Sequence, residues 1–188
     1  MKNTMQISPT PFSGRPDTRR TDAEEAIYDA LDALGIPFTR VDHDHADTME
    51  DCLLIEKVLG ARVPKNLFLT NRQKTAFYLL LMPGDKPFKT KFLSAQLGVA
   101  RLSFAEEEAM KALLHTVPGS VSPLELIFDG EKRIRFIVDD ELKTETDFAC
   151  HPGLSSSTVR LSRDGLLRYL EASGHEITYV SLPRQIEE

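Results

Sequence analysis

The sequence predicts one α/β domain of the α+β type, a mixed sheet flanked by helices. Three observations predict it. Capped amphipathic stretches alternate with short apolar runs of strand length. Their order is mixed rather than a strict strand–helix alternation, which points to a mixed sheet. The 188 residues are 41% hydrophobic and 28% charged, which excludes disordered and fibrous classes and suits a single sizeable core.

Residues 1–20 hold Pro9, Pro11, Gly14 and Pro16 with little periodicity, so they are expected as a loosely ordered arm ahead of a domain over 21–182. Thr21-Asp-Ala-Glu24 is a capping box that opens a helix with Ile27, Leu31 and Leu34 on its apolar stripe and Gly35 as its stop. A strand is expected over 38–42. Thr48-Met-Glu-Asp51 opens a second helix that stops at Gly60. Strands follow over 66–70 and 75–82, then a short helix over 90–97 that ends at Gly98. Ser103-Phe-Ala-Glu106 reads as the cap of a helix that runs to about 114. Further strands are expected over 126–129, 133–139, 146–151 and 158–161. Ser162 caps a last helix, and 177–180 is a final strand.

The longest apolar run, 76–82, is far short of the ~20 residues that span a bilayer, and the first residues carry no apolar core of a signal peptide. Two cysteines, Cys52 and Cys150, make no disulfide framework. A cytoplasmic protein without membrane contact is expected. Net charge is −6, yet residues 57–101 hold nine basic residues against one acid, Asp85, so that this segment carries +8 and the remainder −14. Such asymmetry can draw a polyanion to one face of an acidic protein, although scattered solvated lysines are the plainer account.

Gly-rich phosphate loops, GxSxG and CxxC are all missing from the sequence. Asp42-His43-Asp44-His45 places two imidazoles at i and i+2, on one side of a strand, where exposed polar residues at a strand end are the simpler reading than metal ligands. Lys65 heads an apolar strand and is placed to hold a phosphate or a developing negative charge; a solvated edge lysine is the alternative. In Gly119-Ser-Val-Ser-Pro123, a permissive glycine and a rigid proline can converge successive amides into an anion-binding nest, or form an ordinary turn.

Four segments in this order carry a resemblance: Lys65-Asn-Leu-Phe-Leu69, Leu102-Ser-Phe-Ala105, Pro118-Gly-Ser-Val-Ser-Pro123 and His151-Pro152. The chain resembles the YbaK/prolyl-tRNA-synthetase-associated editing family over about residues 21–180, and within it the free-standing PrdX or ProXp-ala branch of alanyl-tRNA(Pro) deacylases. The resemblance implies a hydrolase that removes a wrong amino acid from tRNA(Pro), without cofactor or metal. It assigns Lys65, Gly119 and His151 to catalysis, and Asn66, His43, Ser120, Val121, Ser122 and Pro123 to substrate binding. The basic segment then has a client: Lys74, Lys86, Lys89 and Lys91 are expected to bind the phosphates of the tRNA acceptor end. Prolyl-tRNA synthetase or an elongation factor is a further expected partner. Relatives commonly follow His-Pro with a segment containing Asn and Thr, where this chain has Gly153-Leu-Ser-Ser-Ser-Thr158, which bears on pocket shape and thus on the amino acid removed.

An aminoacyl ester is already activated, so a positioned water and a stabilised oxyanion suffice without a Ser or Cys nucleophile. By family analogy the 2′-hydroxyl of the terminal adenosine assists the water. Other classes stay open: a noncatalytic tRNA- or synthetase-binding module, a deacylase for cysteine or serine, and a metal-dependent hydrolase that uses His43, His45 and His151.

Overall fold

The computed structural model describes residues 5–46 and 48–185. The central strand β4 (Phe77–Met82) is buried at all six positions, and its alternating side chains divide the apolar interior in two. Leu79 and Leu81 point into the main core with Phe68 and Phe136, while Tyr78, Leu80 and Met82 point to a second cluster with Leu93 and Ile137. The large sheet runs β5-β3-β4-β6-β9. In it β3 (Lys65–Thr70) and β5 (Ser103–Phe104) are antiparallel neighbours, and β6 (Ile134–Asp139) and β9 (Ile177–Val180) lie parallel to their partners. This is the expected mixed sheet.

A second, antiparallel sheet of order β1-β2-β8-β7 accompanies it. It comprises β1 (Phe12–Ser13), β2 (Phe38–Asp42), β7 (Asp147–Cys150) and β8 (Ser157–Ser162). Helices α1 (Asp22–Ala33), α4 (Glu107–Leu114) and α5 (Arg163–Ser173) pack on the main core. Helix α2 (Met49–Leu59) packs through Ile55 and Leu59 against Val41 and Ala149 of the second sheet, and α3 (Thr90–Leu97) covers the far face of the large sheet through Leu93. None of these helices is long and apolar enough to cross a membrane.

The capping box expected at Thr21 with Glu24 forms, and Thr48, expected to open the second helix, closes one with Asp51. Residues 1–4 of the expected arm lie outside the described residues. The rest of that arm is tied down: Phe12 and Ser13 pair with Arg40 and Thr39, and Arg15 reaches Glu25, Asp29 and Asp32 on α1.

Two local expectations give way to other bonding. The 126–129 run is part of a 3-10 helix, Pro123–Phe128, because Pro123 starts it and Ser122 and Glu125 close a capping box around it. Ser103 does not cap α4. It pairs with Thr70 in β5, and Ala105 N–H continues that pairing to Phe68 O at 2.9 Å, so the open edge of β3 captures the segment and the helix starts at Glu107.

Candidate active site

The two sheets and the 115–123 loop enclose a cleft of about 230 Å³. Its wall includes Asn66 from β3, Phe104 from β5, Gly119 and Val121 from the loop, His151 after β7, and Thr158 from β8. Of the nine residues expected in catalysis and substrate binding, the structure brings Asn66, Gly119, Val121 and His151 into this one wall.

The loop is held by bonds that explain its sequence. Ser120 N–H donates to Val117 O at 3.1 Å, which closes a turn with Pro118 and Gly119 at its centre. Gly119 takes φ +83°, the position that favours glycine in a type II turn. Ser120, Ser122 and Pro123 are buried rather than presented to the cleft. Ser120 Oγ accepts from Ser155 N–H at 3.0 Å, and Ser122 Oγ donates to His151 O at 2.7 Å. These side chains fix the loop to residues 151–157 instead of meeting a ligand. Among the described residues, Gly119 N–H and Val121 N–H have no protein acceptor.

Beneath the loop lies Glu125, fully buried. Its carboxyl accepts from Ser122 N–H at 2.5 Å and from Gly153 N–H at 2.9 Å, while Thr116 Oγ1 donates to Gly153 O at 2.9 Å. Burial pushes the Glu125 pKa up to about 8 against those bonds. The departure at 153–158 therefore forms the strap that holds the cleft loop in place.

His151 Nδ1 lies 2.9 Å from Ser157 O and 3.1 Å from Thr158 Oγ1. A carbonyl only accepts, so Nδ1 carries the proton and Nε2 is left as the acceptor nitrogen. The same logic orients His43: Nδ1 donates to Asp44 O at 2.6 Å, and Nε2 accepts from the Thr158 hydroxyl at 2.8 Å. Burial lowers the pKa of both imidazoles, that of His151 to about 4, so each is neutral near pH 7. His43 thus sits behind the wall and acts on it through Thr158. With both nitrogens engaged, it offers no lone pair to a metal, and among the described residues no three or more His, Cys, Asp or Glu cluster as a ligand set.

Lys65 is placed differently from its neighbour. Strand alternation turns it away from Asn66, and its Nζ donates to Lys86 O at 2.7 Å. It lines a second groove of about 310 Å³ beside Met49 and Leu53, which shares Cys52, Val63 and Pro64 with the cleft. Asn66 keeps a buried Oδ1 without a partner. Among the expected tRNA-binding lysines, Lys86 is a correction: it is 1% exposed, with Nζ 2.8 Å from both Asp139 and Glu141. Burial pulls its pKa down, but those two carboxylates outweigh it and hold the ammonium charged. Lys74 is exposed and pairs with Glu106 at 2.6 Å, whereas Lys89 and Lys91 are exposed with no carboxylate partner among the described residues.

Sequence reasoning missed Thr158 and Glu125. The Ser122-Pro-Leu-Glu125 capping box was legible and places Glu125 at the loop. Thr158 left no comparable mark, since its two histidine partners lie 115 and 7 residues away.

A neutral imidazole, an orphan amide oxygen and backbone amides without protein acceptors thus line one small cleft. The chain belongs to the aminoacyl-tRNA editing domain family, whose pattern matches residues 43–169. It is an aminoacyl-tRNA deacylase, a hydrolase of the bond between amino acid and tRNA. It is 30% identical over 161 residues to the prolyl-tRNA editing protein ProX of Acetoanaerobium sticklandii, covering 86% of this chain and 98% of that one. It is 32% identical over 156 residues to prolyl-tRNA synthetase associated domain-containing protein 1 of Danio rerio, covering 82% and 84% respectively. Its fold resembles a crystal structure assigned to trans-editing for prolyl-tRNA synthetase, with a TM-score of 0.61 at 14% identity over 88% of this chain and 100% of that one.

Proposed function

We propose that this protein edits tRNA(Pro), removing alanine from alanyl-tRNA(Pro) and sparing prolyl-tRNA(Pro). The observation that carries the reading is the cleft itself: about 230 Å³, walled by Val121, Phe68 and Ala149, with polar groups confined to a few points. The apolar walls suit a small side chain such as the methyl of alanine, and a second sieve of this kind adds discrimination that a synthetase site cannot supply alone. The relatives named for prolyl-tRNA editing support the tRNA assigned.

In this reading the ester carbonyl lies against the amides of Gly119 and Val121, which are aimed at the oxygen where negative charge develops. Asn66 Oδ1 accepts from the α-amino group. His151 Nε2 accepts a hydrogen bond from the water or from the adenosine 2′-hydroxyl that assists it. Water attacks the carbonyl carbon, the ester bond breaks, and the ribose oxygen leaves as a hydroxyl with one proton from the water. Lys65, in the adjoining groove, anchors the terminal adenosine. Lys89 and Lys91 bind acceptor-end phosphates. Delivery by prolyl-tRNA synthetase or an elongation factor belongs to the same proposal and is read as a rise in kcat/KM when either is added.

The test is deacylation of alanyl-, cysteinyl-, seryl- and prolyl-tRNA(Pro) at one enzyme concentration. Alanine is expected to be released fastest and proline to be retained. Comparable rates for alanyl- and prolyl-tRNA(Pro) would defeat size exclusion, and faster release of cysteine or serine would reassign the substrate.

A further inference from the structure

We propose that the groove between α3 and β5 holds the single-stranded nucleotides that precede the esterified adenosine, with a base stacked on Phe104. This rests on the reading of the cleft as an aminoacyl-ester site. Phe104 is 60% exposed although it lies in a paired strand, and Phe88 meets it edge-on, with ring centroids 6.2 Å apart and planes at 68°. Phe88 thus fixes the ring while leaving a broad aromatic surface uncovered. That ring lines the cleft on one side and, on the other, a groove of about 530 Å³ with Lys89, Lys91 and Arg101.

These three cations are exposed and have no carboxylate partner among the described residues. Arg62, Lys74 and Lys86 of the same basic segment pair with acids, whereas Lys57 and Arg72, unpaired among the described residues, line neither the cleft nor this groove. Unpaired cations beside an open aromatic face match a strand of unpaired bases, in which every base offers a π-face and every linkage a negative charge. An acidic peptide would answer the charge but leave the ring without use, and a duplex would keep its bases stacked away from it.

The connectivity agrees. A ribose whose ester enters the cleft sends its base one way and its 5′-phosphate another. Lys65 stands in the groove that shares Pro64 with the cleft, and Phe104 stands where a separate groove meets it. The preceding nucleotide therefore falls on Phe104, and its phosphates fall among Lys89, Lys91 and Arg101. Phe104 is on this account a positioning residue.

The experiment compares two substrates, full-length alanyl-tRNA(Pro) and 2′(3′)-O-alanyl-adenosine, which lacks the preceding nucleotides. Phe104→Ala is expected to raise KM for the tRNA roughly ten-fold with kcat within about two-fold, and to raise KM for the small substrate much less. Phe104→Trp restores the tRNA value. Lys89→Ala combined with Arg101→Ala flattens the salt dependence of KM for the tRNA by a slope of about 1 to 2. Equal KM changes on both substrates, or no change on the tRNA, overturn the groove while leaving the deacylase reading intact. An unaltered protein that hydrolyses neither substrate defeats the alanyl-tRNA(Pro) reading of the cleft instead. Fluorescence anisotropy with a single-stranded oligonucleotide ending in CCA then decides the groove directly: roughly ten-fold weaker binding by Phe104→Ala upholds it, and unchanged binding rejects it.

Discussion

The hydroxyl of Thr158 stands 3.1 Å from His151 Nδ1 and joins it to His43 on its far side, 2.8 Å from His43 Nε2. The Ser157 carbonyl sets the tautomer of the cleft imidazole, and this one threonine couples that ring to a second, hidden one whose centroid lies 5.9 Å away.

Replacing that hydroxyl while keeping its shape isolates the relay. Thr158→Val leaves His43 Nε2 without its donor in a buried site, which costs about 1–3 kcal/mol of stability. Deacylation is expected to fall roughly ten-fold as the His151 ring loses its fixed orientation, on the order of 1.4 kcal/mol in the barrier. Urea unfolding and single-turnover kinetics check the two effects, and full activity in the variant would remove Thr158 from the site.

Lys65→Ala is expected to lower deacylation by about 100-fold or more while moving stability by less than about 1 kcal/mol, because its ammonium makes one bond, to a backbone carbonyl, at a partly exposed position. Lys65→Arg is expected to stay poor, since a planar fork does not replace a compact ammonium. Near-normal turnover in folded Lys65→Ala would sink the role proposed for it.

His151 also predicts a pH dependence of stability. Its pKa falls from 6.5 to about 4 on folding, so the folded state binds fewer protons between those values. The stability is therefore full above pH 6.5 and is lost as pH falls toward 4, by roughly 3 kcal/mol at 1.36 kcal/mol per unit. His43, also depressed by burial, acts with the same sign. Glu125, raised from 4.5 to about 8, acts with the opposite sign over its own window and is common to both proteins compared. Denaturation of wild type and His151→Asn at pH 7, 5.5 and 4.5 is expected to show a shallower loss in the variant. Parallel curves would mean that His151 is not the titrating group.

The lysines separate by the same measurements. Lys86→Met removes the cation from a fully buried Asp139 and is expected to cost about 3–5 kcal/mol, with the salt dependence of tRNA binding unchanged. Lys89→Ala with Lys91→Ala is expected to move stability by less than about 0.5 kcal/mol each and to flatten the salt slope by roughly 0.7 per contact. A salt slope that responds to Lys86 and not to the other two would reverse the assignment.

Much of the fold was legible because its signals are short-range. The helix starts at Thr21 and Thr48 and the stops at Gly60 and Gly98 act within one helical turn, and each forms as read. The 38–42 strand needs only its local pattern, and β2 has those bounds. The motifs at Lys65 and Gly119 fall in adjoining depressions of the surface, Gly119 in the cleft and Lys65 in the groove beside it. The family and its chemistry were thus contained in the sequence alone.

Tertiary structure decided which side chains reach the cleft. Asn66 faces it and Lys65 does not, because sheet packing chooses which side of β3 points inward. Lys86 and Lys89 read alike in sequence, yet Asp139, 53 residues on, draws Lys86 inside while Lys89 finds no acid among the described residues. Thr158 joins His43 across 115 residues. Burial and pairing depend on what arrives from elsewhere in the chain, so charge, protonation and exposure at this site were set only once the two sheets had met.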